Sequence, residues 1–332
     1  MKRIVRTIII TVLISMLFIF LKNEYGRLLL SNANFGMQVL ITESRDDNYE
    51  GVDLFVGSSM FRMGLDIHEL YGAMGGDEFL LNYNGNQPFL EYREIQYLLD
   101  SGVEIKHLYM DMYAFSAASG PWLGDERILL QTDIAFKKNV WKEMYNTGNA
   151  DIKDFWEMFV TANNDSLLTW PIYYFLVNNT SYRGGNLRES PGTTKEALSA
   201  LDMPIAANRT IQGDQREYLL KIIDLCYEKE IPLTFLETPK YIDMAQSEGY
   251  IELTEEYVTL LQDKNVEYYL SEATYRQLSE RMGSDLSCGE NHVVVFDSEE
   301  ASFFTDYIHL SADGKKEYSH NLTLSIEVHG NM

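Results

Sequence analysis

The sequence predicts an α/β protein of three layers, α/β/α, built on a mainly parallel sheet, with an apolar N-terminal helix and a largely helical insertion. Three observations carry that expectation. Apolar strand-like runs alternate with amphipathic stretches over 51–112 and again over 213–332. Residues 1–21 hold an unbroken apolar run behind basic residues. The stretch between the alternating halves breaks the pattern and contains all four tryptophans, Trp122, Trp141, Trp156 and Trp170. Strands alternating with helices imply parallel pairing through right-handed crossovers. With 332 residues, 45% of them hydrophobic, the chain can fill one large core or two ordinary ones.

The N-terminus reads "MKRIVRTIIITVLISMLFIFLKNEYG", with Lys2, Arg3 and Arg6 ahead of an apolar run from Thr7 to Leu21. That run is about 15 residues, or about 18 if Ile4 and Val5 join it while Arg6 snorkels, short but adequate for a thin bilayer. No small-x-small site follows Leu21, where Lys22, Asn23, Glu24 and Tyr25 stand. We therefore read 1–21 as a cytoplasmic tip and uncleaved transmembrane anchor rather than a signal peptide. The basic flank keeps the N-terminus cytoplasmic, which makes the chain a single-pass cell-membrane protein with an extracytoplasmic body. Residues 22–50 read as a stalk or connecting segment, with globular order starting at Gly51.

From there the first strand, "VDLFVG", runs into Gly57-Ser58-Ser59 and gives way to a helix, "MFRMGLDIHELYG". A strand "EFLLNYN", a helix "PFLEYREIQYLLDSG" opened by Pro88, and a strand "KHLYMDMYAF" follow. Residues 113–212 form the insertion, with "DERILLQTDIAFKKNVWKEMY" and "DIKDFWEMFVTANNDSLLTWPIYYFLV" helical or irregular and "RGGNLRESPGTT" rich in turns. Its tryptophans suit a lid or docking face, or the packing of a helical subdomain. The alternation resumes over 213–332 with a helix "DQREYLLKIIDLCYEKE", a strand "IPLTFLET", a helix between Tyr241 and Gln262, and strands "VEYYLS" and "HVVVFDS". The last helix lies in "HLSADGKKEYSHNLTLSIEV", capped by Ser311.

Charge and cysteine content exclude several function classes. A formal net charge of -23 argues against a nucleic-acid or anionic-lipid partner, which the averaged field would repel. Cys226 and Cys288 sit in no C-x-x-C or Cys/His cluster, so neither a structural zinc nor a disulfide framework is expected, and the two read as separate buried thiols. No cofactor is called for.

In an open parallel sheet, ligands sit beyond the carboxyl ends of the strands, where helix N-termini present free N–H groups. Gly57-Ser58-Ser59 occupies that place after the first strand. Glycine permits the tight turn, and a hydroxyl there projects into the crevice, but a serine needs a base. Of six histidines, His309 is best placed, in "FFTDYIHLSADG" between the last strand and the last helix. Asp306 precedes it by three residues, so one turn can present the imidazole while the carboxylate holds its other nitrogen. Ser59, His309 and Asp306 thus read as a triad, whereas either motif alone is what an N-cap or a surface turn would carry. Arg62, Asp66, His68 and Asp111 could line the same crevice and receive no role.

"VGSSM" and "DYIHLSADG" together resemble the first and last blocks of the SGNH (GDSL-like) hydrolases, which end a first strand with Gly-Asp-Ser and carry Asp-x-x-His near the C-terminus. The resemblance covers about 51–112 and 213–328 and implies a flavodoxin-like fold with Ser59 as nucleophile and Ser58 in the block's Asp position. The Gly-Ser-Ser form is similar to a membrane-anchored branch that includes teichoic-acid D-alanyl transfer and exopolysaccharide acetylation proteins. The family's Gly-x-Asn-Asp block is missing after the third strand, where Tyr109, Asp111 and Tyr113 stand, and "ANND" at 162–165 lies in the insertion. "NYNGNQP" after the second strand matches the glycine block, so the Gly85 N–H and the Asn86 side chain, or Asn84, are expected to join the Ser59 N–H in an oxyanion hole. The resemblance implies a serine esterase or O-acyltransferase acting on acyl, chiefly acetyl, esters of a cell-envelope or secreted polysaccharide, with a membrane-bound O-acyltransferase as partner. Competing readings are an inactive SGNH-fold scaffold or glycan-binding module, and a secreted lipase.

Overall fold

The computed structural model describes residues 2–30, 36–112, 123, 127–161, 181–188, 190–203, 211, 213–286 and 292–330. Its strands are β1 (Val52–Gly57), β2 (Glu78–Asn82), β3 (Ile105–Asp111), β4 (Ser181–Tyr182), β5 (Gly185–Asn186), β6 (Leu233–Leu236), β7 (Glu267–Ser271) and β8 (Val293–Val294). Six of them make one parallel sheet in the order β2-β1-β3-β6-β7-β8. Leu54, Phe55, Val56, Leu108 and Met110 are fully buried, which explains why the central strands read as continuous apolar runs rather than alternating ones. The strand order reverses between β1 and β3, and that switch point opens a crevice at their carboxyl ends.

The helices are α1 (Lys2–Leu30), α2 (Met37–Glu43), α3 (Ser59–Gly64), α4 (Ile67–Ala73), α5 (Pro88–Asp100), α6 (Arg127–Gln131), α7 (Ile134–Asn146), α8 (Ile152–Trp156), α9 (Lys195–Ser199), α10 (Gly213–Lys229), α11 (Ile242–Ala245), α12 (Glu248–Asp263), α13 (Glu272–Met282) and α14 (Ala312–Gly330). α14 packs on α3 and α4 in one layer, while α5 and α10 pack together in the other, as right-handed crossovers on either side of a switch point require.

Several elements depart from the sequence reading. The helix expected after β1 breaks at Leu65-Asp66, because the Asp66 carboxylate accepts the His68 N–H at 2.9 Å and caps a new helix, α4. The helix expected over 241–262 is likewise two, α11 and α12. α13, which the sequence pattern does not announce, follows β7 directly. Glu237 fixes that junction: its buried carboxylate accepts from the Ser271 N–H (2.7 Å), Thr274 Oγ1 (2.6 Å) and Tyr250 Oη (2.6 Å). The last strand keeps only two residues, since Val295, the next one, turns out to solvent with 63% of its surface exposed.

α1 continues beyond Leu21 to Leu30. Its segment Lys2–Tyr25 is long and apolar enough to cross a membrane. Past Leu21 the helix meets the body: Asn23 is buried and accepts from Lys137, and α1 packs against α6. The core also begins before Gly51, because Met37, Leu40 and Ile41 of α2 are buried, with α2 packed on α5.

The insertion is helical in α6–α9 but also contains the β4–β5 hairpin. Arg183 and Gly184 at its tip have φ values of 42° and 80°, the two positive values of a type I′ turn. The tip lies along the outer edge of β2: the Leu80 N–H donates to Arg183 O at 2.9 Å, and Arg183 Nε donates to Glu78 O at 2.7 Å. A Cβ at Gly184 would fall 1.8 Å from Leu80 O, so only glycine permits this approach. Cys226 is buried, which pushes its thiol up to about 12. Cys288, Trp122, Trp170, Tyr113 and the "ANND" stretch lie outside the described residues.

Candidate active site

The site starts at the carboxyl end of β1. A Cβ on Gly57 would lie 2.8 Å from the Asp111 Cβ and 2.9 Å from the Phe61 ring, so the turn out of the strand needs glycine. Ser58 is fully buried and extended. Its Oγ accepts the Met60 N–H at 3.2 Å, capping α3, and donates to Asp111 Oδ2 at 2.7 Å. Ser59 is the first residue of α3, and its Oγ stands 3.0 Å from His309 Nε2, across 250 residues of chain.

His309 comes from the loop between β8 and α14. A bridge between Phe304 and Leu310 closes that loop, and the Ser311 Oγ accepts the Gly314 N–H at 3.2 Å, which makes Ser311 the cap of α14 as expected. Inside it Asp306 folds an Asx turn: Oδ1 accepts the N–H groups of Ile308 (2.8 Å) and His309 (2.9 Å), and Oδ2 lies 2.8 Å from His309 Nδ1. Burial pushes the Asp306 carboxyl up, but the hydrogen bond and charge of His309 and the two backbone N–H groups outweigh it and hold the pKa below the ordinary carboxylate value. An ionised carboxylate only accepts, so Nδ1 carries the ring proton and Nε2 turns its lone pair to Ser59. The structure therefore brings Ser59, His309 and Asp306 together in a line of two hydrogen bonds.

The expected oxyanion residues fare differently. Gly85 is buried at a φ of 68° in the turn that Asn86 N–H closes on Tyr83 O at 3.2 Å. Asn84 is exposed and accepts from Arg62 Nη1 at 3.2 Å. The Asn86 amide is turned inward: Nδ2 donates to Glu94 Oε2 at 3.1 Å and Oδ1 accepts the Gln87 N–H at 3.2 Å. Of the expected donors, Asn86 Nδ2 is thus committed to the core, which leaves, among the described residues, the backbone N–H groups of Ser59 and Gly85 and the Asn84 Nδ2 amide. Of the unassigned neighbours, Asp111 anchors Ser58, Asp66 caps α4, and His68 stacks on Tyr182 with ring centroids 5.2 Å apart.

The chain matches no protein-family model and no curated protein. Its chemistry is therefore read from the site's own geometry.

Three residues near this edge escaped the sequence reading. Asn82 ends β2 opposite Gly57, and both polar atoms of its side chain are buried without a hydrogen-bond partner among the described residues. It lines a cavity of about 40 Å³ with Arg62, one turn beyond Ser59, and with Tyr83, Arg127, Ser181 and Asn186; the volume holds roughly one to three waters. Lys240 is buried after β6, where its Nζ donates to Thr238 Oγ1 at 2.9 Å; burial lowers its pKa, opposed by the charges of Glu237, Asp111 and Asp306. Glu91 of α5 is fully buried, with neither oxygen hydrogen-bonded among the described residues, and burial, then the charges of Asp111 and Glu94, raise its pKa well above the ordinary carboxylate value. A strand-terminal Asn at the carboxyl edge was the available signal for Asn82; the burial of Lys240 and Glu91 leaves no mark in local sequence.

Proposed function

We propose that the protein is a membrane-anchored, extracytoplasmic serine acyl-enzyme of the SGNH type. It transfers or removes a small acyl group, most simply acetyl, on a cell-envelope or secreted polysaccharide. The observation that carries this is the 3.0 Å approach of Ser59 Oγ to a His309 whose other nitrogen faces Asp306 at 2.8 Å. Ser59 Oγ attacks the ester carbonyl while His309 Nε2 takes its proton, and backbone N–H groups of Ser59 and Gly85 receive the developing oxyanion. The tetrahedral adduct collapses by breaking the bond to the alcohol oxygen, to which the imidazolium gives its proton. A sugar hydroxyl, or water, then gives its proton to Nε2 and attacks the acyl-serine, which releases Ser59 on regaining that proton. Asp306 stays ionised throughout. A sugar acceptor makes the protein an O-acyltransferase, and water makes it an esterase. Anchoring by α1 favours transfer beside a membrane-bound O-acyltransferase that supplies the acyl group.

One observation favours a non-catalytic scaffold or glycan-binding module instead. Where the SGNH pattern has an amide donor beyond the third strand, β3 ends on the carboxyl group of Asp111, which accepts from Ser58. Labelling with a fluorophosphonate probe decides between the two. The acyl-enzyme reading expects labelling that Ser59→Ala and His309→Ala abolish; a folded wild-type chain that stays unlabelled overturns it.

A further inference from the structure

α8 and the π-helical turn that continues it, Glu157–Thr161, form one short stretch with apolar groups on two sides. Its inner side is aromatic: Phe155 and Phe159 stack at 4.4 Å, and Trp141 of α7 meets Phe155 edge-on at 5.0 Å. On the outer side Ile152 is 73% exposed and Trp156, four residues on and so on the same helix face, is 58% exposed. A soluble surface tolerates single exposed apolar residues, but a paired Ile and Trp backed by a packed aromatic cluster is a built contact surface.

Its position says what covers it. Lys22 is the first residue after the apolar run that ends at Leu21, and its Nζ donates to Val160 O at 3.1 Å. Val160 is four residues, or about 6 Å of helix, from Trp156. A lysine closing an apolar span sits at the headgroup level, which is also where the half-apolar indole of tryptophan is most at home. The stretch carries no basic face: Lys153 is 3.3 Å from Glu157, and Asp151 and Asp154 form a capping box. The stretch itself therefore offers apolar insertion rather than attraction to anionic lipid.

We propose that Ile152 and Trp156 enter the headgroup region of the same bilayer that α1 crosses, as a second and interfacial membrane contact made with zwitterionic lipid. One helix alone leaves the body free to swivel about its axis; a second contact fixes its tilt and turns the Ser59 crevice to a set orientation above the membrane. The proposal rests on α1 spanning the bilayer and is independent of the chemistry at Ser59.

The full chain, reconstituted in phosphatidylcholine vesicles, tests it with two readings: release by alkaline carbonate, and quenching by lipid brominated near the glycerol end of the acyl chain. The part of the emission that Trp156→Phe removes is the signal. Retention in carbonate together with loss of that emission in brominated lipid is the expected result. Retention without quenching overturns the proposal, leaves the anchor standing and assigns the face to solvent or a protein partner. Release by carbonate overturns the anchor and the proposal with it.

Discussion

Substituting the two adjacent serines one at a time separates stability from reactivity. Ser58→Ala removes a cap on α3, worth about 1 kcal/mol, and a 2.7 Å hydrogen bond to the buried Asp111 carboxylate, worth about 1.5–3 kcal/mol when the acceptor is charged. The variant should lose about 3 kcal/mol, read as a lower urea midpoint and a Tm lower by about 5 °C for a chain of this size. It should still label with fluorophosphonate to within about tenfold, a barrier change of about 1.4 kcal/mol, because β1 and Gly57 still hold the turn. Ser59→Ala removes a half-buried hydroxyl at the crevice and should change stability by no more than about 0.5 kcal/mol, yet abolish labelling. Denaturation and labelling of the full chain in detergent check both halves. A Ser58→Ala variant as stable as wild type, or a Ser59→Ala variant that labels, would refute the assignment of roles.

Three further expectations follow from named contacts. Asp306→Asn preserves shape but lets the side chain donate to His309, leaving the proton on Nε2; labelling should slow by about 10³–10⁴, and an unchanged rate removes Asp306 from the triad. Gly57→Ala forces a Cβ to 2.8 Å from Asp111 and should cost about 1–3 kcal/mol; a neutral result in chemical denaturation would mean the turn is looser than described. His107 stacks on Tyr109 at 4.1 Å and bonds Thr234 Oγ1 at 2.8 Å, and burial lowers its pKa from 6.5 to about 4. Between those values the unfolded chain takes up a proton that the folded chain refuses. Stability should therefore fall as pH drops from about 6.5 to about 4, by up to about 3 kcal/mol. His107→Gln should flatten that slope, and parallel pH profiles for the two proteins would sink the idea.

The parts of the site legible in the sequence were local. A strand running into Gly57-Ser58-Ser59, and an Asp three residues before a His, each declare a turn, and the parallel topology puts both turns at one edge of the sheet. What was not legible depends on contacts between distant segments. Ser58 and Asp111 meet because β1 and β3 are neighbours, and only that pairing shows why position 58 holds a hydroxyl. Asn86 looked like an oxyanion donor from its place after a strand, but Glu94, two turns into α5, takes its amide into the core. α2 looked like part of a stalk because "MQVLITE" is short, and its burial depends on α5. α13 is hidden because β7 passes into it without a loop, at a junction held by Glu237, the residue after β6.

The hairpin that runs along β2 has a consequence for what the chain does when cut. Without Arg183 to receive the Leu80 N–H, the outer strand would offer a row of free peptide groups, a template on which a strand of a second molecule can add. A chain shortened by excising 113–212 should therefore self-associate, even with Ser59, His309 and Asp306 all retained. On this reading the β4–β5 hairpin covers the β2 edge against strand addition, and a shortened chain that stays monomeric in sedimentation would refute it.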